Sequence, residues 1–277
     1  MCPGWHNGAM SFDPATHGHQ FFPGSASVGV LVLHGFTSTT ASVIEWARAI
    51  HHAHDAAGHH PSVSVPLLPG HGTSWEDLAK ENWHAWRDAV DEEYWRLRSR
   101  HDHVVVCGLS MGGALAVQLA ARYRVAGLLL VNPALALTNR AAAYSHIARH
   151  VVTSVPGIGS DIKRPSEGEV TYDRTPLAAV AQLNLLIRQA IKTLPAVSAP
   201  ALVFRSAEDH VVAGASVDLI RERSAGPVEV IALPNSFHVA TMDYDQGIVE
   251  TASRQSVQNL MRGLGLTHSA GEVAASA

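Results

Sequence analysis

The chain has 277 residues, 47% of them hydrophobic and 16% charged, with a net charge of −4 at pH 7; this size supports one full core, or one core with an inserted subdomain. The acidic balance and the lack of any Lys or Arg run exclude a strong electrostatic footprint for nucleic acid or for an anionic membrane surface. Only Cys2 and Cys107 occur, so no disulfide framework is indicated, and a reducing, cytoplasmic compartment is expected.

Residues 1–23 have no basic region followed by an apolar one, and no segment approaches the roughly 20 apolar residues of a membrane span. Neither a signal peptide nor a transmembrane helix is therefore expected. Residues 1–27 are rich in Gly, Pro, His and Ser, with Phe21-Phe22-Pro23 as the single apolar anchor, and read mostly as loop, 1–17 as a flexible terminus. Val28–Leu33 is a continuous apolar run, as in a strand buried on both faces of a parallel sheet. It ends at His34-Gly35-Phe36-Thr37. Gly35 lets the backbone curl so that the Phe36 N–H can point into a site, which a developing oxyanion requires; an ordinary turn is the alternative.

Helical spacing over 42–57, with Val43, Ile44, Ala47, Ile50 and Ala53 on one side, predicts a crossover helix. The histidines at its end, His51, His52, His54, His59 and His60, lack a carboxylate pair or Cys arrangement of ligand spacing and read as a solvated helix end. A second strand is predicted at 62–66, then a loop punctuated by Pro69-Gly70-His71-Gly72. Trp83, Trp86, Val90, Tyr94 and Leu97 form the apolar stripe of a helix over 82–100.

Val104-Val105-Val106-Cys107 then runs into Gly108-Leu109-Ser110-Met111-Gly112-Gly113 and a helical stretch. Strand, sharp turn and helix place Ser110 on a nucleophile elbow, where only very small neighbours leave room for its backbone. After a strand at 126–131 the alternation of strand and helix breaks. From 134 to about 183 there is no buried-strand run; Tyr144, Ile147, Ala148, Val151, Val152 and Val155 recur at helical spacing, followed by an irregular Pro156-Gly157-Ile158-Gly159-Ser160-Asp161. We read this as an insertion over the carboxyl edge of the sheet, where open α/β sheets bind ligands. Its helix is expected to bury the apolar face against that edge, an acyl chain, or both, which makes Ile147, Val151, Val152 and Ile158 the expected substrate contacts. Regular order resumes with a strand at 200–205, a helix at 214–223, a strand at 228–233 and a final helix at about 246–264. Residues 267–277 read as a disordered tail.

A serine hydroxyl is a poor nucleophile at neutral pH and needs an imidazole base, itself oriented by a carboxylate. Ser110, Asp209 and His238 each follow a successive strand, in the chain order Ser, Asp, His. Among 18 histidines, His238 stands out by its place just past the last strand. Glu208 is the rival acid. The N–H of Met111, the residue after the nucleophile, is the second oxyanion donor beside that of Phe36.

The chain resembles α/β-hydrolase fold serine esterases, and more closely bacterial monoacylglycerol lipases and carboxylesterases. The likeness runs over about residues 18–264. It is carried by Leu33-His34-Gly35-Phe36-Thr37, Gly70-His71-Gly72-Thr73, Gly108-Leu109-Ser110-Met111-Gly112-Gly113, Ile158-Gly159-Ser160-Asp161, Glu208-Asp209-His210-Val211-Val212 and the stretch from Asn235-Ser236-Phe237-His238 to Asp245. It implies a mostly parallel central sheet flanked by helices in one domain over 18–266, with a small cap at about 134–183. It further implies Ser110 as nucleophile, Asp209 as acid, His238 as base, Phe36 and Met111 as oxyanion donors, and no cofactor or metal. The expected partner is a small acyl ester, with transient contact to lipid aggregates and a monomeric or homodimeric assembly. One departure is that no Asp or Glu lies between Leu137 and Ser160 to hold a glycerol head; Asn139, His146 and His150 are the polar groups there. A broad carboxylesterase or a thioesterase uses the same residues, and a non-catalytic ligand-binding scaffold would show a broken triad.

Overall fold

The computed structural model of the chain describes residues 13–157, 159–165, 169–263 and 266. The strands are β1 (Gln20–Phe22), β2 (Val28–Leu33), β3 (Ser62–Val65), β4 (His103–Leu109), β5 (Gly127–Val131), β6 (Ser154–Pro156), β7 (Arg174–Pro176), β8 (Ala201–Ser206) and β9 (Val228–Leu233). The helices are α1 (Pro14–His17), α2 (Ile44–His51), α3 (Trp75–Lys80), α4 (Trp83–Arg98), α5 (Met111–Ala120), α6 (Ser145–Ala148), α7 (Leu177–Thr193), α8 (Ala215–Arg223) and α9 (Gln246–Met261). Seven strands form one sheet in the order β1-β3-β2-β4-β5-β8-β9. All pairs are parallel except β1 with β3.

The continuous apolar runs have the cause expected of them: both faces of the sheet are covered. Along β2, Leu31 and Leu33 enter one core with α4 and α5, whereas Val28, Val30 and Val32 enter the other with α2 and α9. β4 divides in the same way, Val104 and Val106 to one side and Val105, Cys107 and Leu109 to the other. Each such side chain contributes about 1.5–3 kcal/mol of burial. A one-residue slip would exchange the two faces, so the ends of the strands are fixed in register.

Several elements differ from their predicted form. β1 was hidden in a Gly- and Pro-rich segment and is an edge strand, its Phe21 against Ser64 of β3. The helix predicted over 42–57 stops at His51, because His60 Nδ1 and His51 Nδ1 bond the carbonyls of Ala53 and Pro61 and close a loop there. α3 is an additional helix, capped by Ser74, whose side chain accepts the Asp77 N–H. The largest difference lies between β5 and β8. No helix runs across 144–155; a 3-10 turn (Arg140–Tyr144) leads into the single turn of α6, and the chain then extends into β6, which pairs antiparallel with β7. The run Val151-Val152-Thr153 with Val155-Pro156 accounts for this, since β-branched side chains lose rotamers in a helix and Pro disfavours the helical conformation in the residue before it. Ile147 and Val151 are 61% and 88% exposed, so this segment does not bury its apolar side chains against the sheet edge. Ile158 lies outside the described residues, as do 1–12 and 267–277. α7 crosses residue 183, and its Ala179, Leu183, Leu186, Ile187 and Ala190 belong to the main core.

Candidate active site

β4 delivers Ser110 to the carboxyl edge of the sheet with φ 55 and ψ −114. That backbone conformation costs a residue with a side chain on the order of 1–3 kcal/mol, and its surroundings hold it in place. The Ser110 N–H donates to the Val131 carbonyl, and the Ser110 carbonyl accepts from Gly113 and Ala134. A Cβ at Gly108 would lie 2.4 Å from Gly112 backbone, and one at Gly112 would lie 2.3 Å from the Leu33 carbonyl oxygen. Both glycines are thus demanded by close approach of the turn to β2 and to itself.

His238 Nε2 is 2.8 Å from Ser110 Oγ, and His238 Nδ1 is 2.8 Å from Asp209 Oδ2. A carboxylate only accepts, so the imidazole proton sits on Nδ1 and the Nε2 lone pair faces the serine hydroxyl. Asp209 Oδ1 accepts the N–H groups of Val211 and Val212 at 2.8 and 2.7 Å, which fixes its aim. Glu208, the rival acid, turns outward to Lys163 Nζ at 3.4 Å. The longer side chain leaves the turn, whereas the shorter one is caught by the two backbone N–H groups.

Asn132 supplies a support that its position as a strand stop did not reveal. It has φ 42; its Nδ2 donates to the His238 carbonyl at 2.8 Å and to Ser206 Oγ at 2.9 Å, and its Oδ1 accepts the Ser206 N–H. Ser206 Oγ donates to the Phe237 carbonyl. The ends of β5 and β8 are thereby tied to the loop that carries His238.

The second side of the site is the turn after β2. Gly35 packs on Ser110, an added Cβ lying 3.6 Å from Ser110 Cβ. Buried His34 accepts the Leu68 N–H at Nε2, so its proton is on Nδ1, which donates to the Gly35 carbonyl at 2.9 Å. Burial lowers the His34 pKa to about 4 and keeps the ring neutral. Because the C=O and N–H of a trans peptide point in opposite directions, this bond turns the Phe36 N–H away from His34. The Phe36 ring rests edge-on against His71 and Trp86. Met111 opens α5, so its N–H is outside the helical ladder. Among the described residues neither N–H has a hydrogen-bond partner, and the pair can serve an anionic oxygen.

Two acidic residues of the insertion join the site without having been singled out as site residues. Burial pushes the Glu169 carboxyl above the usual glutamate range, opposed by hydrogen bonding to the Ser38 and Ser42 hydroxyls and by the His238 imidazole. Its backbone is held by Ser160 Oγ, which accepts the Glu169 N–H at 2.6 Å. Asp161 bonds both the His210 and the His238 N–H groups. Tyr172 fastens the same stretch over the Gly70 loop, its hydroxyl donating to the Gly70 carbonyl and accepting the Thr73 N–H. Asp161 and Glu169 both lie beyond the stretch 137–160, which holds no Asp or Glu. Ile147, Val151 and Val152 stand at the surface rather than in this polar cluster. Among the described residues no three His, Cys, Asp or Glu side chains converge as metal ligands, and no helix is long and apolar enough to cross a membrane.

Over residues 30–251 the chain matches the alpha/beta hydrolase family. It is 38% identical over 231 residues to a thermostable monoacylglycerol lipase of Bacillus sp. (strain H-257), covering 83% of this chain and 90% of that relative. It is 23% identical over 224 residues to a carboxylesterase of Bacillus subtilis (strain 168), covering 79% and 88%. A solved structure from work on LipS and LipT, two metagenome-derived lipolytic enzymes, superposes with a TM-score of 0.82 at 33% identity, over 88% of this chain and 98% of that one. A parallel sheet whose elbow serine, strand-end aspartate and terminal-loop histidine meet in one hydrogen-bonded row is thus matched by similarity along most of the length, and the chain belongs to the alpha/beta hydrolase family.

Proposed function

We propose that the protein is a serine hydrolase of carboxylic esters, acting on monoacylglycerols or similar medium- and long-chain acyl esters. The row Ser110, His238 and Asp209, with both contacts at 2.8 Å, carries the reading. Ser110 Oγ attacks the ester carbonyl carbon while His238 Nε2 takes its proton. The resulting oxyanion is stabilised by the N–H groups of Phe36 and Met111. Protonated His238 returns the proton to the departing alcohol oxygen, the C–O bond breaks, and an acyl-Ser110 remains. Water, deprotonated by His238, then releases the acid and restores the hydroxyl. Asp209 holds the imidazole tautomer and stabilises its cation without itself taking the proton.

Glu169, a half-buried carboxyl whose electrostatics include the His238 imidazole, favours an alcohol part with free hydroxyls, because it offers an acceptor that a substrate lacking a donor does not use. The similarity to a monoacylglycerol lipase supports the same choice. Cys107, a buried free thiol in β4, fits a reducing, cytoplasmic setting, and the exposed apolar groups Tyr144, Ile147 and Val151 fit transient contact with lipid aggregates. A monomer or homodimer is the assembly we infer. The test compares a monoacylglycerol with the methyl ester of the same acid. Glu169→Ala is expected to lower kcat/KM for the monoacylglycerol on the order of tenfold or more, the cost of one lost hydrogen bond to a charged group, and to spare the methyl ester. Equal losses on both esters would remove Glu169 from alcohol recognition and leave a broad carboxylesterase.

A further inference from the structure

The stretch 161–164 belongs to the insertion, yet its bonds run to the two loops that carry the triad acid and base. Asp161 Oδ2 accepts the His210 N–H at 3.2 Å and the His238 N–H at 3.1 Å, and Oδ1 lies 2.8 Å from His210 Nδ1. The Asp161 carbonyl accepts the next N–H of the same loop, that of Val239. In return Asp243, fully buried just past His238, accepts the N–H groups of Lys163 and Arg164 and that of Phe237. Arg164 also donates to the Met242 carbonyl. One carboxylate therefore bridges the residue after Asp209 and the backbone of His238, across 49 and 77 positions of sequence.

We propose that Asp161 is a positioning residue, through which the seating of the insertion sets the distance between Asp209 and His238. The inference rests on the reading of Ser110, His238 and Asp209 as the reacting groups. A carboxylate with several N–H partners is a stiff connector, since each charge-assisted bond is stronger and shorter than a neutral one. Asp161 does not reach the reacting atoms in this arrangement; it acts through the loops on either side of the imidazole. Its loss lets the two loops separate by a fraction of an ångström. Displacements of that order at a reacting centre cost far more in rate than in binding. The insertion is then part of the device that assembles the triad, and displacement of the 161–164 stretch disarms the serine.

p-Nitrophenyl acetate tests this, because its acyl group is too short to depend on the insertion for binding. Asp161→Ala is expected to lower kcat on the order of tenfold to a hundredfold while KM stays near that of the parent. The same factor should appear in the rate at which a fluorophosphonate labels Ser110. Asp161→Asn keeps an oxygen for the two backbone N–H groups and should recover part of the loss. Lys163→Ala, which leaves the Lys163 backbone N–H in place, should retain the parent's kcat. Should the alanine variant fail to fold, His210→Ala frees Oδ1 instead, and a few-fold loss in kcat at constant KM is expected. The parent's kcat in the truncated variant, or a loss confined to KM, overturns the proposal. A parent that is not labelled on Ser110 overturns the reading of the triad itself, and the inference with it.

Discussion

The carboxyl edge of the sheet and the segment from Arg140 to Pro156, which interrupts the alternation of strand and helix, are built to different standards. At the edge, Ser110, Asn132, Ser206 and His238 are buried, and each is hydrogen-bonded to its neighbours. In the segment, Tyr144, Ile147 and Val151 project large apolar groups into solvent. The contrast shows where precision is needed. Proton transfer tolerates only small errors in donor and acceptor position, whereas an acyl chain is received by any apolar surface of adequate area. The insertion is itself divided on this line: Asp161 and Tyr172 are bonded to the His238 loop and the Gly70 loop, and Tyr144, Ile147 and Val151 stand at the surface.

The largest effect expected from breaking the ordered region is that of Ser110→Ala. Turnover should fall on the order of 10⁴-fold or more, with a melting temperature close to the parent's, because alanine adds nothing to the crowded turn. Esterase assays beside thermal melts check both halves, and retention of most of the activity would move the nucleophile elsewhere.

A smaller effect reads the stability of the same region through acid. His34 is buried with a pKa lowered to about 4, so the folded state binds fewer protons than the unfolded one, in which a histidine titrates near its usual value. Its contribution is present above about pH 6.5 and is lost as pH falls through about 4, at about 1.4 kcal/mol per unit, roughly 3 kcal/mol in all. Urea midpoints between pH 7 and 4 should fall more steeply in the parent than in His34→Asn. Identical slopes would mean that the ring is not kept neutral under the turn after β2.

The smallest effect sharpens the exposed side of the comparison. Val151→Asp should change stability by less than about 0.5 kcal/mol, as exposed substitutions do, and leave an acetate ester untouched. A long-chain ester should lose kcat/KM a few-fold, since each methylene moved onto apolar surface is worth about 0.8 kcal/mol. Equal kcat/KM changes on both esters would separate this segment from acyl binding.

Much of the ordered region was legible in the chain itself. Val28–Leu33, the stretch before Ser110 and the run before Asn132 are apolar without interruption, and a strand covered on both faces has no other way to be written. Gly108 and Gly112 around Ser110 mark a turn too tight for side chains, and the order Ser110, Asp209, His238 follows from which strand each one ends. The segment 144–155 departs from the predicted helix although Tyr144, Ile147, Val151 and Val155 satisfy a helical period by position alone. The β-branched run and Pro156 opposed it locally, and pairing with Arg174–Pro176 settled the outcome.

What the sequence by itself determined is therefore the part set by near neighbours: buried strands, the elbow, and the types of group offered at the strand ends. Only the tertiary structure places Asp209 rather than Glu208 against His238, since that depends on which carboxylate the Val211 and Val212 N–H groups capture while the other pairs with Lys163. It also brought Asn132 to the His238 carbonyl across 106 residues, and Asp161 to the His238 N–H across 77. Such contacts leave no periodicity in the chain. A polar side chain reads the same whether it faces water or a distant backbone group, and the difference arises only when packing of the two apolar layers brings the loops together.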